Sequence, residues 1–516
     1  MTSWKMKKNN YYITTPIYYP SGEPHMGHAY SSILADVFAR FKRIDNHNVH
    51  FLTGTDEHGL KIQKAAEKVN LDPLKYCDEL SHVFIDFTKK LNLSNDDFIR
   101  TTEKRHLKAV NMLWNKLVDS GDIYLSKYKG WYSVSDEAYY NSDEINEKDG
   151  KKFSIFSGSP VEWVEEDSFF FRLSAWEKKL LQFYENNKNF ILPYSRRNEV
   201  VNFVKGGLKD LSVSRTSFTW GIKVPKYEKH VIYVWLDALT NYLSALDFPD
   251  TKSKFYNNFW PASLHVIGKD ILRFHAIYWP AFLLAAGIKP PLRIFSHGWI
   301  LSGVEKMSKS KGNILNPLEI IKNYGIDELR YYLMKEVSHG SDGSVSLKSL
   351  ENCVNSDLAN NYGNLCRRVL SFIKSNCNGY IKKTSVESES EKDLIHKTKK
   401  IISDLRSEMN NQNLNNYIKA VIEISFLTNK YINDEEPWKL KKIDDRKMNN
   451  ILHVALEQIA KISILLNPII PIASTKVLKA LNIDEENRNF LLLDQTNILN
   501  KETKVKDLDI LFKKIQ

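Results

Sequence analysis

Cysteine is nearly missing. The 516-residue chain has four, Cys77, Cys353, Cys366 and Cys377, and no two form a C-x-x-C pair. That spacing suggests neither a zinc knuckle nor a dithiol redox motif, and reduced thiols in a cytosolic protein are the default. Long apolar runs are missing too: no stretch of about 18 such residues occurs, so no membrane-spanning helix is expected. The N-terminus has no signal-peptide core, and the first strand-like segment, Tyr11-Tyr12-Ile13-Thr14-Thr15, begins too early for a long cleaved presequence. A soluble, cytoplasmic protein with no membrane partner is the expectation. Acidic residues are in the minority, 62 against 73 Lys and Arg, giving a formal net charge of +11 and a pI near 9.0. A basic excess suits a polyanion, most often nucleic acid. Lys, Asn and Ile are abundant throughout, however, and an AT-rich genome would produce the same excess.

What is present reads as several domains of ordinary globular composition, 42% apolar and 26% charged. Residues 11–60 run strand, Gly/Pro turn, helix, strand, which is the opening βαβ unit of an α/β domain. Residues 60–120 look helical. Residues 121–225 hold short aromatic runs and polar turns, the pattern of an inserted α+β module. The α/β pattern resumes at His230–Trp235 and continues through Leu264–Gly268 and Leu292–Ser296. After about residue 351 glycine is scarce and apolar spacing is helical, which fits a helix bundle. Lys382–Asp393 reads as a loop between two helices.

Two distant segments carry chemistry. His25-Met26-Gly27-His28 stands at a helix start, where backbone N–H groups and the helix dipole favour a polyphosphate. Gly27 leaves room for a flat base to approach the backbone. Lys306-Met307-Ser308-Lys309-Ser310 follows the last α/β strand on a Gly-bounded loop able to close over a triphosphate. The first motif alone is weak, since a core histidine pair would look the same; the second is far more specific than a generic Lys/Ser run.

Together they resemble the HIGH and KMSKS signatures of class I aminoacyl-tRNA synthetases. Met26 in place of isoleucine is a mild departure, apolar and expected to face the core. Longer motifs narrow the resemblance to the methionyl-tRNA synthetase family over nearly the whole chain. They are Thr14-Thr15-Pro16-Ile17-Tyr18-Tyr19-Pro20, Gly54-Thr55-Asp56-Glu57-His58-Gly59, Tyr233–Ala238, His265–Ile271 and Phe274–Pro280. The resemblance implies ATP-dependent activation of L-methionine, with ATP as its Mg2+ complex, and transfer to initiator and elongator methionine tRNAs. It implies catalytic roles for His25, His28, Lys306 and Lys309. Nucleotide contacts would come from His25, Gly27, His28, Asp270, Trp299, Ile300 and Lys309. Asp56 would pair with the substrate ammonium. Ile17, Tyr19, Trp235, Tyr242, Ile271, His275 and Trp279 would surround the thioether, aromatic walls suiting sulfur. Without the family, those aromatics read as ordinary core, His275 as a satisfied core histidine, Asp237 as a helix cap, and Glu57 and His58 as loop residues.

Asn364-Leu365-Cys366-Arg367-Arg368 resembles the family's N-L-x-x-R anticodon motif, and Asn364 and Arg368 share a helix face. Glu436-Pro437-Trp438 resembles its second anticodon element, with Trp438 as a stacking platform for splayed bases. The implied fold is a Rossmann-like catalytic domain in two halves, 1–120 and 226–295. A connective module, 121–225, splits it; a KMSKS and stem-contact region, 296–350, and an all-α anticodon-binding domain, 351–516, follow. The inserted module has no cysteine, so a zinc-free module held by hydrogen bonds and aromatic packing is expected. The chain ends at Gln516, soon after the bundle, which leaves no room for an appended OB-type domain, and a monomer is expected. Two rivals stand beside this reading: another class I synthetase, for leucine, valine or cysteine, and a noncatalytic RNA-binding protein on a synthetase scaffold.

Overall fold

The computed structural model describes residues 9–515 apart from 21, 137, 141, 303–304, 307–314, 384–387 and 496. It divides into two compact units. One holds Asn10–Pro24 and His50–His297, and the other His25–Val49 with the chain from Gly298 onward.

The first unit is built on a six-stranded sheet in the order Asp97–Arg100, Asn48–Thr55, Asn10–Thr14, Leu264–Gly268, Ile294–His297, Ile191–Leu192. Asp97–Arg100 with Asn48–Thr55, Asn10–Thr14 with Leu264–Gly268, and Ile294–His297 with both Leu264–Gly268 and Ile191–Leu192 pair in parallel. Leu264–Gly268 is buried at all five positions, as a strand covered on both faces must be, and it is accordingly apolar apart from His265. From Asn10–Thr14 the chain builds outward in one direction; from Leu264–Gly268 it builds in the other. That reversal marks the carboxyl ends of these two strands as the place where open α/β sheets bind ligands. Register pairs Thr14 with His265 there.

Two strands escape the sequence reading. Asp97–Arg100 lies inside the stretch expected to be helical, and four residues are too few for a period to show. Ile191–Leu192, two residues from the inserted region, adds the edge strand. Otherwise the insertion is a four-stranded antiparallel sheet ordered Leu211–Ser212, Glu162–Phe171, Ile123–Ser133, Ala138–Tyr140, accompanied by helices Glu177–Asn186 and Tyr194–Lys205.

The second unit is mainly helical. Asp445–Leu466 is buried almost all round over its last five turns and forms its axis. Glu389–Asn410 and Leu414–Glu435 pack as an antiparallel pair. The stretch expected as a loop from Lys382 is shorter than that: Tyr380–Lys382 pairs with Glu502–Lys504, and Ser388 caps the helix from Glu389. Helix Met26–Ile44 clusters with this unit rather than with the sheet. Asp36 and Arg330, both fully buried, meet at 2.6 Å. Arg330 also donates to the carbonyls of Ile469 (2.8 Å) and Pro468 (2.9 Å). Further along, Arg406 bonds Asp45 at 2.8 Å, and Phe41 packs edge-on against Tyr417 and Phe490. A buried charge pair persists only with its remaining hydrogen bonds satisfied, and these carbonyls satisfy them.

Candidate active site

In the first unit the expected amino-acid residues gather around one ring system. Tyr242 and His275 are essentially buried, and the Tyr242 hydroxyl lies 2.8 Å from His275 Nε2. His275 Nδ1 lies 3.0 Å from the Ile271 carbonyl oxygen. A carbonyl can only accept, so Nδ1 carries the proton, Nε2 is the acceptor and Tyr242 donates to it. Burial lowers the His275 pKa to about 4, so this ring is neutral near pH 7. Trp235 meets His275 edge-on and stacks on Phe274, with ring centroids 3.7 Å apart. Trp279, fully buried, lies beside Tyr242. The buried indole N–H groups of Trp235 and Trp279 find no acceptor among the described residues. Buried donors are nearly always paired, so two of them in one place point to a site built for something else to occupy. Ile17, Tyr19 and Ile271 are half-buried against the same cluster.

The backbone that holds this set is stitched across strand ends. Asp56 N–H donates to the Tyr18 carbonyl (2.8 Å) and Tyr18 N–H to that of Gly54 (2.7 Å), while the Tyr19 hydroxyl donates to the His58 carbonyl (3.1 Å). This sets the buried carboxylate of Asp56 beside the Ile17–Tyr19 segment. Its neighbours Glu57 and His58, which read as loop residues in the sequence, are buried and bonded to distant side chains. Glu57 is fully buried and takes Arg100 Nε at 2.7 Å, Arg100 Nη2 at 3.0 Å and the Thr102 hydroxyl at 2.6 Å. His58 Nδ1 lies 2.8 Å from Asp237 Oδ2, and His106 Nε2 lies 2.7 Å from Asp237 Oδ1. Asp237 is thus structural, but not as a helix cap: it stands in the first turn of Val234–Leu239 and bridges two imidazoles. Burial opposes its charge, yet the imidazoles hold its carboxyl below the usual range.

Sequence reasoning missed His265, Phe274 and His106. His265 is fully buried, bonds Thr14 Oγ1 at 2.7 Å and stacks on Tyr242 at 4.1 Å. Only the strand register brings Thr14 and His265 together, and no local signal in the chain announces it. Asp270 sits exposed just past the strand Leu264–Gly268, in the turn Lys269–Ile271.

In the second unit His25 caps helix Met26–Ile44. Its Nδ1 accepts the Gly27 N–H at 3.1 Å, and His28 Nδ1 accepts the His25 N–H at 3.3 Å. The rings stack with centroids 3.8 Å apart. Each Nδ1 therefore acts as an acceptor, which puts the proton of the neutral ring on Nε2 and makes that edge a donor. Enclosure, then the adjacent His25 ring, keeps the His28 pKa well below the usual value. A Cβ on Gly27 would come within 3.0 Å of the His25 ring, so glycine also lets that ring fold back as the cap. Met26 is buried, as expected. Trp299 N–H donates to Asp342 Oδ1 at 2.9 Å, and Ile300 pairs with Gly343. A Cβ on Gly298 would lie 2.1 Å from the Ser341 carbonyl oxygen, so the chains approach this closely only with glycine there. Lys306 ends the short strand Glu305–Lys306, which pairs with Ile300–Ser302; its side chain, and Lys309 altogether, lie outside the described residues. On the bundle, Asn364 is exposed at the start of helix Asn364–Asn376, and the Arg368 guanidinium lies 5.5 Å from the Trp438 ring, itself 39% exposed.

Comparison with known proteins agrees with both halves. The family model of class I tRNA synthetases (M) matches residues 11–370, and that of the anticodon-binding domain of methionyl tRNA ligase matches 381–516. Methionine–tRNA ligases of Rickettsia felis (48% identity, 99% of each chain) and Brucella suis (48%, 94% of each) are close relatives. Mycobacterium tuberculosis methionyl-tRNA synthetase in complex with methionyl-adenylate superimposes with a TM-score of 0.95 at 42% identity, covering 98% of this chain and 99% of that one.

The chain belongs to the methionyl-tRNA synthetase family. It is a class I aminoacyl-tRNA synthetase and an ATP-dependent methionine–tRNA ligase, and the rival assignments fall away. The inserted module of this synthetase is tied at its turn by Asp136, whose carboxylate accepts hydroxyls from Tyr140 (2.8 Å), Ser159 (2.7 Å) and Ser157. Trp131 meets Trp163 edge-on in the same sheet, at 5.2 Å. Among the described residues no group of three or more His, Cys, Asp or Glu could hold a metal ion, and no helix is long and apolar enough to cross a membrane.

Proposed function

We propose that the ring cluster around Tyr242 and His275 takes the methionine side chain and that Asp56 takes its ammonium. The observation that carries this reading is the enclosure of neutral aromatic and imidazole rings next to two indole donors without acceptors. A charged amino-acid side chain would find no counter-charge in such a set. A thioether gains sulfur–aromatic contacts and needs only a weak donor. Ile17, Tyr19, Trp235, Ile271 and Trp279 complete the walls.

ATP is read as its magnesium complex. Asp270 accepts hydrogen bonds from the ribose, and the backbone at Trp299 and Ile300 borders the adenine. The methionine carboxylate attacks the α-phosphorus in line, the bond to the bridging oxygen breaks, and pyrophosphate leaves. His25 and His28 present Nε2–H donors to the phosphate oxygens, and the positive charges of Lys306 and Lys309 offset the negative charge that grows on the departing pyrophosphate. The terminal ribose hydroxyl of tRNA then attacks the adenylate carbonyl and releases AMP. Placement and fixed charge supply the catalysis, with no covalent enzyme intermediate.

Arg368, Asn364 and Trp438 are the anticodon readers for initiator and elongator methionine tRNAs, and the enzyme works in the cytoplasm as a monomer. Amino-acid-dependent pyrophosphate exchange tests the first half of this reading. Methionine should drive it, and exchange driven equally by leucine would sink the chamber assignment. Charging of tRNAs that differ only in the anticodon tests the second half. Equal charging after CAU is altered would remove the role given to Arg368 and Trp438.

A further inference from the structure

We infer that Asn361 and Asn429, which nothing in the family motifs singles out, are positioning residues for anticodon reading: a buried amide relay that aims the Arg368 guanidinium beside Trp438. The inference rests on the anticodon role proposed above for Arg368 and Trp438.

The relay starts at a backbone carbonyl, and this fixes its direction. Asn429 Nδ2 donates to the Ser425 carbonyl at 3.1 Å, so that end of the amide must be the NH2. Its second proton goes to Asn361 Oδ1 at 2.8 Å, and the Ser425 hydroxyl donates to the same oxygen at 2.9 Å. Asn429 Oδ1 is thereby turned toward Arg368 and receives Nη2 at a long 3.5 Å. Arg368 Nη1 donates to Asn433 Oδ1 at 2.8 Å, so two amide oxygens hold the two arms of one planar guanidinium. Asn361, the foundation, is 3% exposed, whereas Trp438 is 39% exposed. Burial therefore falls along the relay from a locked amide to an open platform.

Asn361 sits in the π-helical turn Val354–Gly363, directly before helix Asn364–Asn376. Such wider turns recur at functional sites because they re-aim side chains. A buried amide is expensive compared with an apolar residue unless its direction matters. Here its direction decides which face of Asn429 meets the arginine, and hence where Arg368 stands for stacking and for hydrogen bonds to base edges.

The test uses the full-length enzyme and CAU-bearing tRNA. Asn361→Leu and Asn429→Ala should each raise KM for tRNA about tenfold, with kcat for charging and pyrophosphate exchange within about twofold of the parent. Asn361→Asp, which keeps the acceptor for both donors, should restore KM to within about threefold. The double variant Asn361→Leu/Arg368→Ala should be no worse than Arg368→Ala, because the relay acts only through that arginine. A native tRNA KM in both Asn429→Ala and Asn361→Leu overturns the inference. So does a loss of exchange matching the loss of charging, an Asp variant as poor as Leu, or an additive double variant. Asn429 is half-buried, so its alanine variant keeps the test open if Asn361→Leu fails to fold. If Arg368→Ala itself charges altered anticodons no differently from the parent, the anticodon assignment fails and the relay falls with it. If Arg368→Ala loses discrimination while the amide variants do not, only the relay fails.

Discussion

The proposed methionine chamber and the proposed anticodon face are built on the same device and present opposite surfaces. Each begins at a backbone carbonyl that fixes the direction of a planar polar group: Ile271 orients His275, and Ser425 orients Asn429. In the chamber the chain of bonds ends inside, on Tyr242, among neutral rings closed from water. On the bundle it ends outside, on Arg368 and the half-open ring of Trp438. A small apolar side chain is selected by enclosure, where every contact is short-range. A polyanion must be met at the surface by charge and stacking, with rigidity supplied from beneath.

If that contrast is right, damage to the two regions should separate cleanly. The largest effect belongs to neither region: Lys309→Ala should lower the rate of pyrophosphate exchange by about a hundredfold or more, and a near-normal rate would remove Lys309 from transition-state stabilisation. Next, Asp56→Asn should cut kcat/KM for methionine by about 2–4 kcal/mol in transition-state terms while leaving KM for tRNA unchanged. A parallel loss in both would mean that Asp56 acts as scaffold.

The chamber should also be the acid-sensitive region. The His275 pKa lies at about 4 when folded, against about 6.5 when unfolded. Between those values the unfolded chain binds the extra proton, so stability is full above about pH 6.5, falls as pH drops, and levels off below 4. The accumulated loss is roughly 3 kcal/mol at pH 4. Urea midpoints for the parent and for His275→Gln should therefore diverge at neutral pH and converge near pH 4, and parallel curves would refute the buried neutral ring. The smallest effect is Trp438→Ala, which should weaken tRNA binding by about 1–2 kcal/mol and leave methionine-dependent exchange untouched. Raised salt should mimic it in direction, reducing tRNA charging far more than exchange.

Much of this was legible in the chain because it is local. His25 and His28 are three apart at a helix start, so their shared face follows from helix geometry, and the capping residues reach their own backbone. Leu264–Gly268 reads as a buried strand because four of its five enclosed residues carry no polar side chain, His265 alone excepted. The continuity of the Gly54–Gly59 and Phe274–Pro280 motifs carried the family resemblance with most of the proposed site. What stayed hidden is non-local. Asp237 looked like a cap until His58 and His106, 179 and 131 residues away in sequence, were seen on its two oxygens. The Thr14–His265 contact depends on a register between strands 251 residues apart.

The residues by themselves determined which groups are available for the proposed sites: neutral rings and a carboxylate for methionine, imidazoles and lysines for phosphate, amides, arginine and tryptophan for bases. They also determined the helices and strands that carry those groups, since periodicity and capping act over a few residues. Only the tertiary structure decided which nitrogen of His275 holds its proton, which end of Asn429 faces Arg368, and that helix Met26–Ile44 belongs with the bundle. The orienting carbonyls of Ile271 and Ser425 stand only four residues back, but the groups that meet the oriented ends, Tyr242 and Arg368, and the countercharge Arg330 that holds Asp36 come from distant parts of the chain.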